Sequence, residues 1–204
     1  SHHAFPTRPS PELAIFKAVR QGWLGDLFLV RGYISNHVAP ARRPEWAEFD
    51  GGAMFELGSH LVDATVRLLG KPKAIGPFLR RHGRFEDSFK DNNVAVLEYD
   101  RATAILINTA LQPVGTPPRS FEVLGTNGSA SLAPLEPPSL TVHLVNPAGP
   151  YAAGAQSVPL PAYQRYVDDF KELAAAVRGE KALTASLDEE WLVAETVLQV
   201  SDMP

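Results

Sequence analysis

Between residues 74 and 145 the apolar residues recur with a period close to two, with no helical stretch between one run and the next. That feature constrains the fold most. Strand-like segments are predicted over 74–84, 93–99, 103–110, 121–124, 129–132 and 140–145. Asp100-Arg101 separates the second from the third, and Thr126-Asn127-Gly128 the fourth from the fifth. Asn-Gly between two apolar runs is the strongest short-range hairpin signal. Strands joined by tight turns pair antiparallel, so the strand–helix alternation of a parallel α/β fold is excluded. Before this block the sequence predicts a helix over 11–22, with Ser10 as cap and Gly22 as stop, and a strand over 27–35. Residues 36–50, with Pro40, Arg42, Arg43, Pro44 and Trp46, read as a long loop. A helix follows over 51–70, and two more, over 163–178 and 187–200, close the chain. The expected class is α+β: one large, mostly antiparallel, open-faced sheet with helices packed on one face. The expected unit is a single domain over 1–204, with a lead-in segment at 1–10 and the closing helix within 186–204. The bare face of such a sheet must meet water or another molecule.

The helix at 51–70 is apolar over most of its circumference. Met54, Phe55, Leu57, Leu61, Val62, Val66, Leu68 and Leu69 cover it, and Glu56, His60, Asp63 and Arg67 form one narrow ionisable seam. A surface helix shows the reverse proportions. Two readings of the seam stand. It is a salt-bridged strip, with Glu56–His60 and Asp63–Arg67 as i,i+4 pairs, or it is the wall of a cleft.

Composition narrows the functions. A net charge of -4 leaves no electrostatic footprint for nucleic acid or for an acidic membrane surface. With no cysteine, disulfides, thiolate nucleophiles and cysteine-held zinc are ruled out, and a cytoplasmic setting is expected. No apolar run approaches the ~18 residues needed to span a bilayer. There is no Gly-x-Gly-x-x-Gly, no Walker loop and no Gly-x-Ser-x-Gly elbow. No metal site is expected: His37, His82 and His143 each stand far from other candidate ligands in sequence. Arg42 and Arg43 are expected to be solvated surface residues.

The run Gly51-Gly52-Ala53-Met54-Phe55-Glu56-Leu57-Gly58-Ser59-His60-Leu61-Val62-Asp63, ending in Leu68-Leu69-Gly70-Lys71-Pro72, resembles a hallmark of the Gfo/Idh/MocA oxidoreductases, the glucose–fructose oxidoreductase and inositol dehydrogenase family. That hallmark is a glycine-led helix carrying an acid, then Gly-x-His, then an Asp three residues on. Residues 8–26 are similar to the family's passage into its second domain, and 121–130 to a hairpin late in its sheet. Residues 163–179 and 187–200 are similar to its closing helices.

The resemblance implies the C-terminal half of such an enzyme, without the N-terminal Rossmann domain that binds NAD or NADP and supplies a catalytic lysine. This chain alone is then expected to bind no cofactor. The implied substrate is a sugar, a cyclitol or a related polyol, and the implied partners are the nucleotide-binding domain and further copies of the chain, packed as a dimer or tetramer through the open sheet face. His60 corresponds to the histidine that exchanges a proton with the substrate oxygen. Glu56 stands where many members carry Asp, one turn ahead, and is expected to orient the ring or hold substrate. Asp63 matches the later acid, in a supporting or substrate-contacting role. The competing expectation is a non-catalytic module for ligand binding or dimerisation that reuses this fold.

Overall fold

The computed structural model describes residues 11–113, 119–135, 137–160, 167–183 and 185–204. The lead-in segment, the Ser10 cap and the first residues of the penultimate helix lie outside them. Eight strands form one sheet: β1 Leu27–Tyr33, β2 Ala74–Arg80, β3 Asn92–Glu98, β4 Thr103–Thr109, β5 Ser120–Gly125, β6 Gly128–Leu132, β7 Leu140–Leu144 and β8 Gly154–Val158. Their order is β2-β3-β4-β1-β5-β6-β7-β8. All neighbours pair antiparallel except β1 and β4, which run parallel with Leu29 opposite Thr103 and Tyr33 opposite Ile107. The α+β class therefore stands, with a mixed sheet. The parallel pair arises because β4 comes to lie beside β1 only after a long stretch of chain that includes β2 and β3, which no local turn signal could announce.

Strand alternation separates the two faces. Val30, Ala95, Leu97, Ala104, Leu106, Val123, Ala130, Leu132, Val142 and Leu144 are fully buried on one face. There α1 Pro11–Arg20, α3 Ser59–Leu69 and α5 Leu187–Val200 cover them. α3 comes down on β1 at Gly32, where a Cβ would lie 2.9 Å from the Leu61 side chain. The opposite face stays open and is divided by the register. Phe78, Val94, Ile107 and Tyr33 stand side by side across β2, β3, β4 and β1. Beyond β1 this face turns polar: Ser120 stands opposite Tyr33, and the neighbouring row from Arg31 runs through Glu122, Ser131, Thr141 and Ser157 across β5 to β8.

Three expectations are corrected. The strand at 74–84 ends at Arg80, because residues 81–91 fold back as an irregular loop. β8 had no periodic signal, since Gly154, Ala155, Gln156 and Ser157 offer no large apolar residue. The segment 36–50 is ordered: it holds a 3₁₀ turn, Pro40–Arg42, and a short helix, α2 Arg43–Ala47. α2 buries Arg43 and Trp46, three residues apart and so on one side of a single turn. Trp46 joins Val38, Ala53, Phe89 and Ala110 in a second, smaller core. The remaining helix, α4 Val167–Val177, exposes Phe170, Leu173 and Val177 at i, i+3, i+7 spacing. Among the described residues, no helix is long and apolar enough to cross a membrane.

Candidate functional site

The seam helix does not keep a uniform pitch. Residues Met54–Gly58 form a π turn that runs directly into α3. A π turn inserts one residue into the helical ladder, and such turns occur frequently at functional sites. At Gly58, within it, a Cβ would sit 2.3 Å from the Met54 sulfur, so the glycine leaves room for that side chain. Gly52, just upstream, has φ +58, and a Cβ on it would lie 2.5 Å from the Lys90 carbonyl oxygen. Only glycine takes that backbone and that proximity without strain. Ala53 then donates its amide to the same Lys90 carbonyl, at 3.1 Å. The start of the helix is thus tied to the 81–91 loop.

The predicted seam falls into two halves that differ in burial. Glu56 and His60 are exposed, although Met54, Gly58, Leu61 and Val62 around them are buried. Asp63 and Arg67 instead turn toward α5. Arg67 donates through Nε to Asp63 Oδ1 at 2.9 Å and through Nη2 to Glu190 Oε1 at 2.5 Å. The expected Asp63–Arg67 pair is therefore present, and α5 adds a second carboxylate that periodicity within one helix could not reveal. Burial pushes the Asp63 carboxyl up to about 7: loss of solvent outweighs the single guanidinium, which it shares with Glu190.

The segments ahead of the helix hold the largest surprise. Arg43, expected at the surface, is only 2% exposed. It donates to Asp87 through Nε at 2.5 Å and Nη2 at 2.9 Å, and to Asp91 through Nη2 at 2.9 Å. Its guanidinium lies 3.8 Å from the Phe85 ring centre and 5.1 Å from that of Phe89. Two carboxylates and two rings repay its desolvation, although Nη1 stays buried without a partner at a cost of about 1–3 kcal/mol. The bidentate bond holds the Asp87 carboxyl below its usual range. Asp91 is fully buried and also accepts the amides of His82 and Gly83. Arg42, by contrast, meets solvent and pairs with Glu45 at 3.2 Å, as a surface residue should. The i,i+3 spacing of Arg43 and Trp46 was the one available sign that Arg43 points inward. Arginine is among the residues a sequence reading is least inclined to bury.

A shallow cleft lined by Pro72, Lys73, Ile75, Gln199, Asp202 and Met203 lies past the far end of α3. Leu69 is already roughly 14 Å along the axis from His60, so Glu56 and His60 do not border that cleft. Among the described residues no group of three or more His, Asp or Glu is placed to hold a metal, and no glycine-rich strand–turn–helix unit is present to cradle a pyrophosphate. What the chain offers chemically is an acid and an imidazole exposed on a helix whose other residues are buried or half-buried.

The sequence profile of the GFO/IDH/MocA C-terminal domain matches residues 13–131. The NADP-dependent scyllo-inositol 2-dehydrogenase IolW of Bacillus subtilis is 28% identical over 123 residues, which cover 57% of this chain and 32% of the relative. Solved structures share the fold. An oxidoreductase from Thermotoga maritima superposes with a TM-score of 0.75 at 20% identity, covering 96% of this chain and 58% of its own. Aldose-aldose oxidoreductase from Caulobacter crescentus, complexed with glycerol, gives 0.75 at 17%, covering 95% and 58%. An oxidoreductase from Agrobacterium radiobacter, in complex with NAD+, L-tartaric acid and magnesium, gives 0.72 at 17%, covering 95% and 60%. The chain thus corresponds to about a third of the curated relative's length and to under two thirds of these solved chains.

Proposed function

Because the chain belongs to the GFO/IDH/MocA C-terminal domain family, we propose that it is the substrate-side domain of an oxidoreductase acting on a hydroxyl of a sugar, cyclitol or related polyol. One observation carries this reading: in the helix that matches the family's hallmark, Glu56 and His60 are the exposed residues, and the rest are buried or half-buried. His60 takes the hydroxyl proton as the alcohol is oxidised and returns it in the reverse direction. An imidazole suits this task because its ordinary pKa lies near neutral pH. Glu56, one turn earlier, orients the ring or holds a neighbouring substrate hydroxyl. Asp63 supports the seam from behind through Arg67.

The hydride partner is NAD or NADP. Its cradle belongs to a nucleotide-binding domain, because the described residues hold none. The names of the relatives support this pairing: one is NADP-dependent, and another was solved with NAD+. The apolar residues displayed by α4 and by the start of α5, with Phe170 at 69% exposure, Leu187 at 85% and Trp191 at 75%, give such a domain a surface to cover. The open sheet face, apolar from β2 to β1, is suited to a second copy of the chain.

The test is turnover of His60→Ala in the enzyme assembled with its nucleotide-binding domain. The expected result is a fall in kcat of about 10²–10⁴-fold with cofactor affinity preserved. Undiminished turnover would remove the proton-transfer role and favour a binding module.

A further inference from the structure

The geometry points to Arg43 as a positioning residue that sets where Glu56 and His60 stand, an inference that rests on the proton-transfer reading only for its functional consequence. The path is short and continuous. Arg43 sits on α2, ahead of the seam helix in sequence, and it closes on the 81–91 loop through Asp87 and Asp91. That loop carries Lys90, whose carbonyl receives the Ala53 amide at 3.1 Å and the Asn93 side-chain amide at 3.0 Å. Asp91 fixes the same loop from its other side: its backbone amide donates to the Arg80 carbonyl at 3.0 Å, and its own carbonyl receives Ala110 at 2.8 Å. Lys90 is thus held between the sheet end and the helix start, close enough to Gly52 that a Cβ there would meet its carbonyl oxygen at 2.5 Å.

A guanidinium is needed for this and an ammonium would not serve. The fork engages Asp87 with two nitrogens while one of them also reaches Asp91, and the flat group packs against Phe85 and Phe89. The π turn begins two residues after Gly52. A displacement of Lys90 therefore passes directly into the stretch that presents Glu56 and His60. Within this arrangement Arg43 touches neither substrate nor proton; it acts through the Lys90–Ala53 hydrogen bond.

The experiment uses the 204-residue chain, with amide hydrogen exchange and histidine ring resonances read by NMR. In Arg43→Met the Ala53 amide should exchange at least about tenfold faster, and the His60 ring resonances should move. His143, on β7 at the far side of the sheet, and the β5–β7 amides serve as the control and should stay as in the parent. An Ala53 rate within twofold of the parent with His60 unmoved overturns the proposal. Equal loosening of β5–β7 overturns it as well, since Arg43 would then be a general stabiliser. Should Arg43→Met fail to fold, Arg43→Lys and Asp87→Asn take its place. Both should displace His60 with the β5–β7 amides unchanged, and an unmoved His60 in both is again contrary. None of these readouts involves turnover, so their failure leaves the role of His60 intact, and failure of the His60→Ala test leaves them intact.

Discussion

At the scale of single residues, the seam shows what a sequence can and cannot disclose. Asp63 and Arg67 are four apart on a helix, and their pairing was legible from that spacing alone. Glu190 completes the cluster from 123 positions further on, beyond any local pattern. Arg43 was hidden more deeply, because its partners Asp87 and Asp91 lie over forty residues away, in a loop with no period of its own. The Asp63 cluster carries a pH signature. An aspartate whose carboxyl is raised to about 7 in the folded chain, from an ordinary value near 3.8, binds more protons folded than unfolded between those limits. It favours the folded state most below the lower limit, and that contribution drains away as pH climbs through the upper one. Melting temperatures of the parent and of Asp63→Asn, measured across pH 4 to 8, should therefore diverge, the parent losing ground to the variant as pH rises. A difference that is flat across this range would show that the carboxylate is ionised throughout.

At the scale of elements, the strands and helices with a strong period were legible, and their boundaries followed their chemistry. α5 spans the expected residues, opened by a capping box in which the Ser186 hydroxyl accepts the Glu189 amide and Glu189 reaches back to the Ser186 amide. The π turn was not legible, because Met54–Gly58 has the composition of ordinary helix. It changes the angular offset between Glu56, inside the turn, and His60, in the regular helix that follows. The sheet was legible in class but not in order, because β4 and β5 close around β1 only after more than sixty residues of intervening chain. Its bare face places Phe78 and Ile107, 51% and 36% exposed, in one cross-strand row. If that row seats a second copy, Ile107→Glu should convert a self-associating chain into a monomer in sedimentation velocity. A parent chain that is already monomeric at ~100 μM would remove the proposal, since the apolar half-sheet should self-associate well below that concentration.

At the scale of the whole molecule, the parts converge on one arrangement. A mixed sheet buries one face under α1, α3 and α5 and leaves the other bare, while a single stretch of helix breaks the surface with an acid and a histidine. The sheet supplies rigidity, and the Arg43 node fixes the helix start against it. Apolar residues on α4 and α5 are left uncovered, the surface that the proposed function gives to a nucleotide-binding domain. The most direct measurement is a structure of the assembled enzyme with cofactor and a polyol bound. The account predicts a ring nitrogen of His60 within about 3 Å of the substrate oxygen that loses its proton, with Glu56 beside it. A His60 ring left facing bulk water, with the polyol seated elsewhere on the molecule, would contradict it.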